Sequence, residues 1–158
     1  MEDSLMRNWG ISFAAGAIGA VTLTAIHQLA TKVTDDAPRM DVLGERAIVK
    51  GAVAAGRTPP QYPSLYLWAL AGDLLANSAY YSLITCGRNA RTWLRAVSLG
   101  VGAGVGALVL PRRIGLGDPP RSWKVSNQVM TVAWYLLGAL AAAAAGRQLS
   151  ADRAHVSA

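Results

Sequence analysis

The stretch GISFAAGAIGAVTLTAIHQLA, residues 10–30, decides the fold class because it runs for twenty-one residues without a charged side chain. About 20 apolar residues cross the hydrocarbon core of a bilayer as a helix. A cleaved signal peptide would begin with a basic segment, whereas MEDSLMR holds two acids and one arginine. No small-residue cleavage site follows, and Thr22, Thr24 and His27 interrupt the apolar core. We therefore predict a retained transmembrane helix over 10–30.

Three further apolar segments follow, at residues 64–86, 94–110 and 127–146. Backbone groups in lipid must hydrogen-bond within their own segment, so spans of this length are expected to be helices. Pro111 is expected to end the third span, because proline has no N–H to donate to a helix. The prediction is an all-α bundle of four transmembrane helices that forms a single transmembrane domain over residues 1–158.

The overall composition favours a membrane protein over the soluble classes. Hydrophobic residues make up 53% of the chain and charged residues 15%, against about 25% charge in a soluble domain. So few charges exclude a disordered chain, and Cys86, the only cysteine, excludes a disulfide scaffold. The 29 alanines and the 12 arginines against 3 lysines are typical of bacterial proteins, so we expect the bacterial cytoplasmic membrane.

The net charge of +6 is spread over the segments between the spans, which argues for membrane orientation and against nucleic-acid binding. Four spans place both termini on one side, called side A: residues 1–9, 87–93 and 147–158. Side B holds residues 31–63 and 111–126. Side A carries six basic residues and side B nine, which weakly favours a cytoplasmic side B, although side B is longer and GRNARTWLR on side A pulls the other way.

The loop between the first two spans contains a predicted amphipathic helix over 38–56. Apolar and small residues recur on one face at helical spacing: Met40, Leu43, Ala47, Gly51 and Ala54. Such a helix suits the membrane surface or covers the bundle. A solvated helical connector is the alternative that the sequence leaves open.

Small residues at four-residue spacing predict close helix packing. Span three holds Gly100 with Gly104 and, overlapping them, Gly102 with Gly106. We expect Gly102 and Gly106 to face another helix, of this chain, of a second copy in a homo-oligomer or of a membrane partner, because a missing side chain lets backbones approach. A phosphate-binding loop is disfavoured, since these glycines lie inside an apolar span rather than between a strand and a helix.

Asp73 is the most informative residue, because a carboxylate near the middle of a span is unlikely to face lipid. Asn77 and Tyr81 follow on roughly the same helix face. At 1.5 Å per residue Asp73 lies about 13 Å from side B, and Tyr135 of span four about 12 Å. We therefore predict a polar cavity that opens to side B. Its candidate lining is one set of polar residues: Asp73, Asn77, Tyr81, Tyr135, Thr131, Gln128, Thr24 and His27.

The polar cluster leaves three function classes open. The first is a structural or accessory membrane protein in which Asp73 only clamps helices by hydrogen bonding. The second is a small-solute or ion carrier or channel that uses Asp73, and the third is a membrane-embedded enzyme acting on a lipophilic substrate. No catalytic motif appears, His27 has no neighbouring His or Cys for a metal site, and no cofactor is predicted.

The even number of spans gives a testable topology. Cysteines placed at Ser4 and at Ser157, in a Cys86→Ser background, should be labelled from the same side of the membrane by an impermeant thiol reagent. Labelling from opposite sides would remove one of the four spans, with the short third span the first to be doubted.

Overall fold

The computed structural model describes residues 2–34, 37–86, 91–120 and 123–156, and these contain five helices and no strand. In chain order they are α1 (Glu2–Val33), α2 (Met40–Ala54), α3 (Ser64–Thr85), α4 (Thr92–Arg113) and α5 (Val125–Val156). The prediction of an all-α fold is confirmed.

Three helices are long and apolar enough to cross a membrane: α1 over Trp9–Val33, α4 over Thr92–Arg113 and α5 over Val125–Arg153. The chain thus has the helices of an integral membrane protein. The helix α3 has 22 residues, but Asp73, Asn77 and its hydroxyl side chains make it less apolar than the other three. A fourth span is therefore an argument from geometry and not from hydropathy.

The helices outrun the predicted bounds at several ends. Pro111 does not stop α4, which continues to Arg113 before Gly115 takes a positive φ of 73°. One further turn is tolerated because the missing proline N–H falls close to the helix end. The helix α5 runs past residue 146 because its polar extension is still helical, with Gln148 donating to Asp152 at 3.0 Å. Apolar length measures membrane thickness, not helix length.

Close backbone contacts hold the bundle together. The helix α1 packs against α3 and α5, and α4 packs against α5. A Cβ on Gly19 would lie 2.6 Å from the Gly138 carbonyl oxygen, and one on Gly16 would collide with the Ser78 carbonyl oxygen. The buried cluster between these helices is built mainly from small and aromatic side chains: Leu23, Tyr81, Ile84, Ala96, Tyr135, Ala139, Ala142 and Ala143.

The glycines of α4 that meet another helix of this chain are Gly100 and Gly104, not the expected pair. A Cβ on Gly104 would lie 2.6 Å from Val132 Cα of α5. On Gly102 it would come no closer than 3.7 Å to the Tyr80 hydroxyl, and on Gly106 it would meet only Leu110 of the same helix. Within the chain the prediction for Gly102 and Gly106 is therefore wrong, because residues two apart lie on opposite sides of a helix.

The helix α2 covers α3 with its first half only. Leu43 is buried, and a Cβ on Gly44 would contact Ala69 Cβ at 3.2 Å. Of the predicted apolar face, Ala47, Gly51 and Ala54 are exposed, so the expected continuous face is wrong for the second half of the helix.

Two side chains of α2 tie the helix to the segment that follows α4. Arg46 Nη1 donates to the Leu116 and Asp118 carbonyl oxygens at 3.1 and 3.0 Å, and Lys50 Nζ donates to the Ile114 carbonyl oxygen. The two side-B segments thus meet at one end of the bundle.

The bundle carries apolar side chains outside and polar ones inside. Asn77, Ser78, Ser82, Asn127 and Thr131 are buried. Large apolar side chains are exposed along the outer faces, including Leu67, Trp68, Leu75 and Leu83 of α3 and Val97, Val101, Val105 and Val109 of α4. A protein surrounded by water does not place long apolar stripes outward, so this pattern is typical of a lipid-facing surface.

Alanine substitutions should separate the two glycine faces of α4. Gly104→Ala is expected to lower the thermal unfolding temperature in detergent, because its Cβ collides with the backbone of α5 and overpacking costs about 1–3 kcal/mol. Gly102→Ala should leave it unchanged or raise it slightly, since alanine favours a helix by roughly 0.5–1 kcal/mol over glycine. Equal losses for both variants would mean that the Gly102 face is also packed.

Candidate functional site

A cavity of about 280 Å³ lies at the side-B end of the bundle. Its walls are the last two turns of α1, the first half of α3 and the segment that leads into α2. Thr24, His27 and Asp73 supply its innermost polar groups. A volume at the lower end of the usual 300–1,000 Å³ or so for ligand pockets suits a ligand smaller than a drug-sized molecule.

Asp73 is held by one neighbour on its own helix. Asn77 Nδ2 donates to Asp73 Oδ1 at 2.9 Å, one turn further along α3. The Asn77 side chain is buried, so the pair points into the bundle. Within the described part of the chain the one ion pair joins Arg39 to Asp41, and Asp73 has no cationic partner.

Two polar atoms of α1 are buried at the cavity without a hydrogen-bond partner among the described residues: Thr24 Oγ1 and His27 Nε2. The His27 ring is fixed from behind by α5, where Trp134 and Tyr135 meet it edge-on at centroid distances of 5.0 and 6.1 Å. Because aromatic packing holds the ring in place, His27 cannot simply turn its nitrogen towards water. A buried polar atom without a partner costs about 1–3 kcal/mol, so these atoms mark a place for a hydrogen-bonding guest.

The mouth of the cavity carries a complete ion pair. Arg39 Nη2 and Asp41 Oδ2 are 2.7 Å apart, and Arg39 Nε donates to both carboxylate oxygens at 2.9 and 3.2 Å. Partial burial raises the pKa of Asp41, but hydrogen bonds from Arg39 and its charge lower it further, so the net pKa is below the ordinary value. Asp41 in turn raises the pKa of Arg39, so both groups stay charged.

A cross-helix hydrogen bond closes the wall between α1 and α3. Gln28 Nε2 donates to the Tyr66 hydroxyl at 2.7 Å, and both residues line the cavity. The short donor–acceptor distance fixes the separation of the two helices at this level. The cavity is therefore framed by hydrogen bonds instead of being a gap in loose packing.

The eight residues predicted for the site divide into three groups. Thr24, His27 and Asp73 line the cavity together. Asn77, Tyr81 and Tyr135 stand directly behind that lining: Asn77 holds Asp73, Tyr135 contacts His27, and Tyr81 donates to the Tyr135 carbonyl oxygen at 2.9 Å.

The last two predicted residues, both on α5, do not line the cavity. Thr131 is buried but donates to the Asn127 carbonyl oxygen of its own helix at 2.8 Å. Gln128 is exposed, so the expectation that it faces the interior is wrong. It lies in the first turn of α5, at the side-B end, where a polar side chain has no need to face inward.

The sequence analysis missed the contribution of α2 and of two neighbouring positions. Arg39, Asp41 and Gly44 reach the cavity only because α2 folds back onto α3. Tyr66 was detectable, since it lies seven residues before Asp73 and so on the same helix face. Gln28 follows His27 directly, but its bond to Tyr66 depends on how the two helices pair.

The arrangement has the chemistry of a binding site. It offers one carboxylate without a counter-charge, two unpaired polar atoms and an apolar wall from Ala69 and Leu70. Among the described residues no three His, Cys, Asp or Glu side chains lie close enough together to hold a metal ion.

Comparisons of the chain with known protein families, with characterised proteins and with solved structures found no match.

The bond between Tyr81 and the α5 backbone should contribute measurably to stability. Tyr81→Phe removes a fully buried donor and is expected to lower the free energy of unfolding by about 1 kcal/mol. Tyr62→Phe is the matched control, because Tyr62 is 79% exposed. Thermal unfolding in detergent checks both, and identical unfolding temperatures for wild type and Tyr81→Phe would contradict the role given to this bond.

Proposed function

We propose that this protein is a four-helix integral membrane protein of the bacterial cytoplasmic membrane that binds a small polar solute in the side-B cavity, as a carrier does. The observation that carries the proposal is the pair of unpartnered buried atoms, Thr24 Oγ1 and His27 Nε2, in the same cavity as Asp73. Such atoms are expected where a bound solute completes the hydrogen bonding.

A purely structural clamp explains this arrangement less well. In a clamp the polar groups of neighbouring helices bond to one another, because an unsatisfied group in a low-dielectric interior has a cost. Asp73 instead bonds within its own helix, to Asn77, and Thr24 and His27 bond to nothing in the described chain. None of these three cavity groups therefore joins α1 to α3.

The outer surface of α3 supports its place as the fourth span. Twenty-two residues at 1.5 Å rise extend about 33 Å, against a hydrocarbon core of about 30 Å. Its exposed positions include Leu67, Trp68 and Leu75, while Asn77, Ser78 and Ser82 are buried. Average hydropathy understates such a helix, because its polar side chains face protein and not lipid.

The far end of the bundle favours a carrier over an open channel. Beyond the cavity, towards side A, Tyr81, Ile84, Ala139 and Ala142 are each 0% exposed and pack against one another. No polar path continues through this cluster, and a channel needs one from side to side. A site open at one end and sealed at the other has the form of one state of an alternating-access carrier.

Access to the cavity can be measured with single cysteines in a Cys86→Ser background. Thr24→Cys should react with N-ethylmaleimide in the folded, detergent-solubilised protein at least about tenfold faster than Ser82→Cys. Both substitutions are close to isosteric. Thr24 lines the cavity, whereas Ser82 is buried in the packed half of α3.

The comparison has a clear negative outcome. If Thr24→Cys is as inert as Ser82→Cys while both react fully after denaturation, the cavity admits no solute. The polar cluster would then be a structural feature of the bundle.

A further inference from the structure

We infer that the solute bound in the side-B cavity is a small primary alkylammonium ion, held by Asp73, Thr24 and His27. This inference rests on the proposed function, since it assigns a chemical class to the solute of the same cavity. It depends on three properties of the lining: its charge, its balance of donors and acceptors, and its apolar wall.

The cavity lining carries an excess negative charge. Its carboxylates are Asp41 and Asp73, and its one guanidinium belongs to Arg39. Arg39 directs Nε and Nη2 at Asp41, so these two charges compensate each other at the mouth. Asp73 is left as the uncompensated carboxylate, and a buried carboxylate is stabilised by a cation at hydrogen-bond distance.

The hydrogen-bonding groups left over are acceptors. Thr24 Oγ1 and Asp73 Oδ2 can each accept, and His27 Nε2 accepts in the tautomer that carries its proton on Nδ1. A primary ammonium group presents three N–H donors and no acceptor, which matches these three atoms. A quaternary ammonium has no donor and would leave the same atoms unsatisfied, and a divalent metal ion would require more than one free carboxylate.

The remaining wall suits a short alkyl chain. Met40, Ala69 and Leu70 line the cavity beside the polar groups. About 280 Å³ accommodates only a few carbon atoms together with the ammonium group. Because the guanidinium of Arg39 is committed to Asp41, the lining offers little to a carboxylate on the same solute, which disfavours amino-acid zwitterions.

Charged thiol reagents test the charge selectivity on the purified full-length protein. The reporter is Leu70→Cys in the Cys86→Ser background, because Leu70 lines the cavity without being one of the polar groups. Its labelling rates with 2-aminoethyl and 2-sulfonatoethyl methanethiosulfonate are compared, each normalised to Thr58→Cys in an exposed segment. We expect about a tenfold preference for the cationic reagent, as one nearby charge in a cleft produces.

Two neutralising substitutions serve as a matched pair. Asp73→Asn in the reporter protein should abolish the preference, whereas Asp118→Asn, which removes a charge from an exposed side-B residue outside the cavity lining, should preserve it. Should Asp73→Asn fail to fold, protection in the Asp73-intact reporter still decides. Methylammonium chloride should slow labelling of Leu70→Cys by the anionic reagent, and equal concentrations of tetramethylammonium or potassium chloride should not.

The outcomes separate the two levels of the argument. If neither reagent labels Leu70→Cys, the cavity is closed to solutes and the proposed function fails together with the inference. If both reagents label it at the ratio seen for Thr58→Cys, the cavity admits solutes but does not select cations, and only the inference is overturned. Equal protection by potassium and methylammonium would also overturn it, in favour of an unselective monovalent cation site.

Discussion

The close approach of α1 to α3 and α5 through glycine determines the rest of the structure. Gly16 lies against the α3 backbone at Ser78, and Gly19 and Gly138 approach each other across α1 and α5. Van der Waals contact of this kind is what lipid cannot replace. All three contacts lie in the half of the bundle away from side B. At side B the same helices carry His27, Gln28 and Tyr66, whose larger side chains frame the cavity.

The inward orientation of the polar groups follows from the surroundings of the bundle. With apolar side chains outside, the carboxylate of Asp73 and the amide of Asn77 lie between helices, where exposure to lipid is avoided. Burial alone leaves polar groups in need of partners. Asn77 satisfies part of the requirement of Asp73, and the cavity holds what is left. Binding capacity thus arises where packing is incomplete beside groups that packing has desolvated.

Much of this site could be predicted from the sequence by depth along the spans. Asp73, His27 and Thr24 meet because α1 and α3 run antiparallel and place these residues at matching levels. The rotation of each helix was not predictable in the same way. In α4 the pairs Gly100/Gly104 and Gly102/Gly106 have identical spacing, and only the contact with Val132 of α5 selects the first pair. The contribution of α2 was hidden for a related reason, since an interfacial helix can pack on either side of its attachment points.

The central claim is that Asp73, Thr24 and His27 surround a hydrated or solute-filled space and not a collapsed contact. An experimental structure in a lipid nanodisc, at a resolution that defines bound water, tests it most directly. The account predicts density between α1 and α3 within hydrogen-bond distance of Asp73, Thr24 Oγ1 and His27 Nε2. Direct hydrogen bonds among these side chains, with α1 and α3 closed together and no density between them, would contradict it.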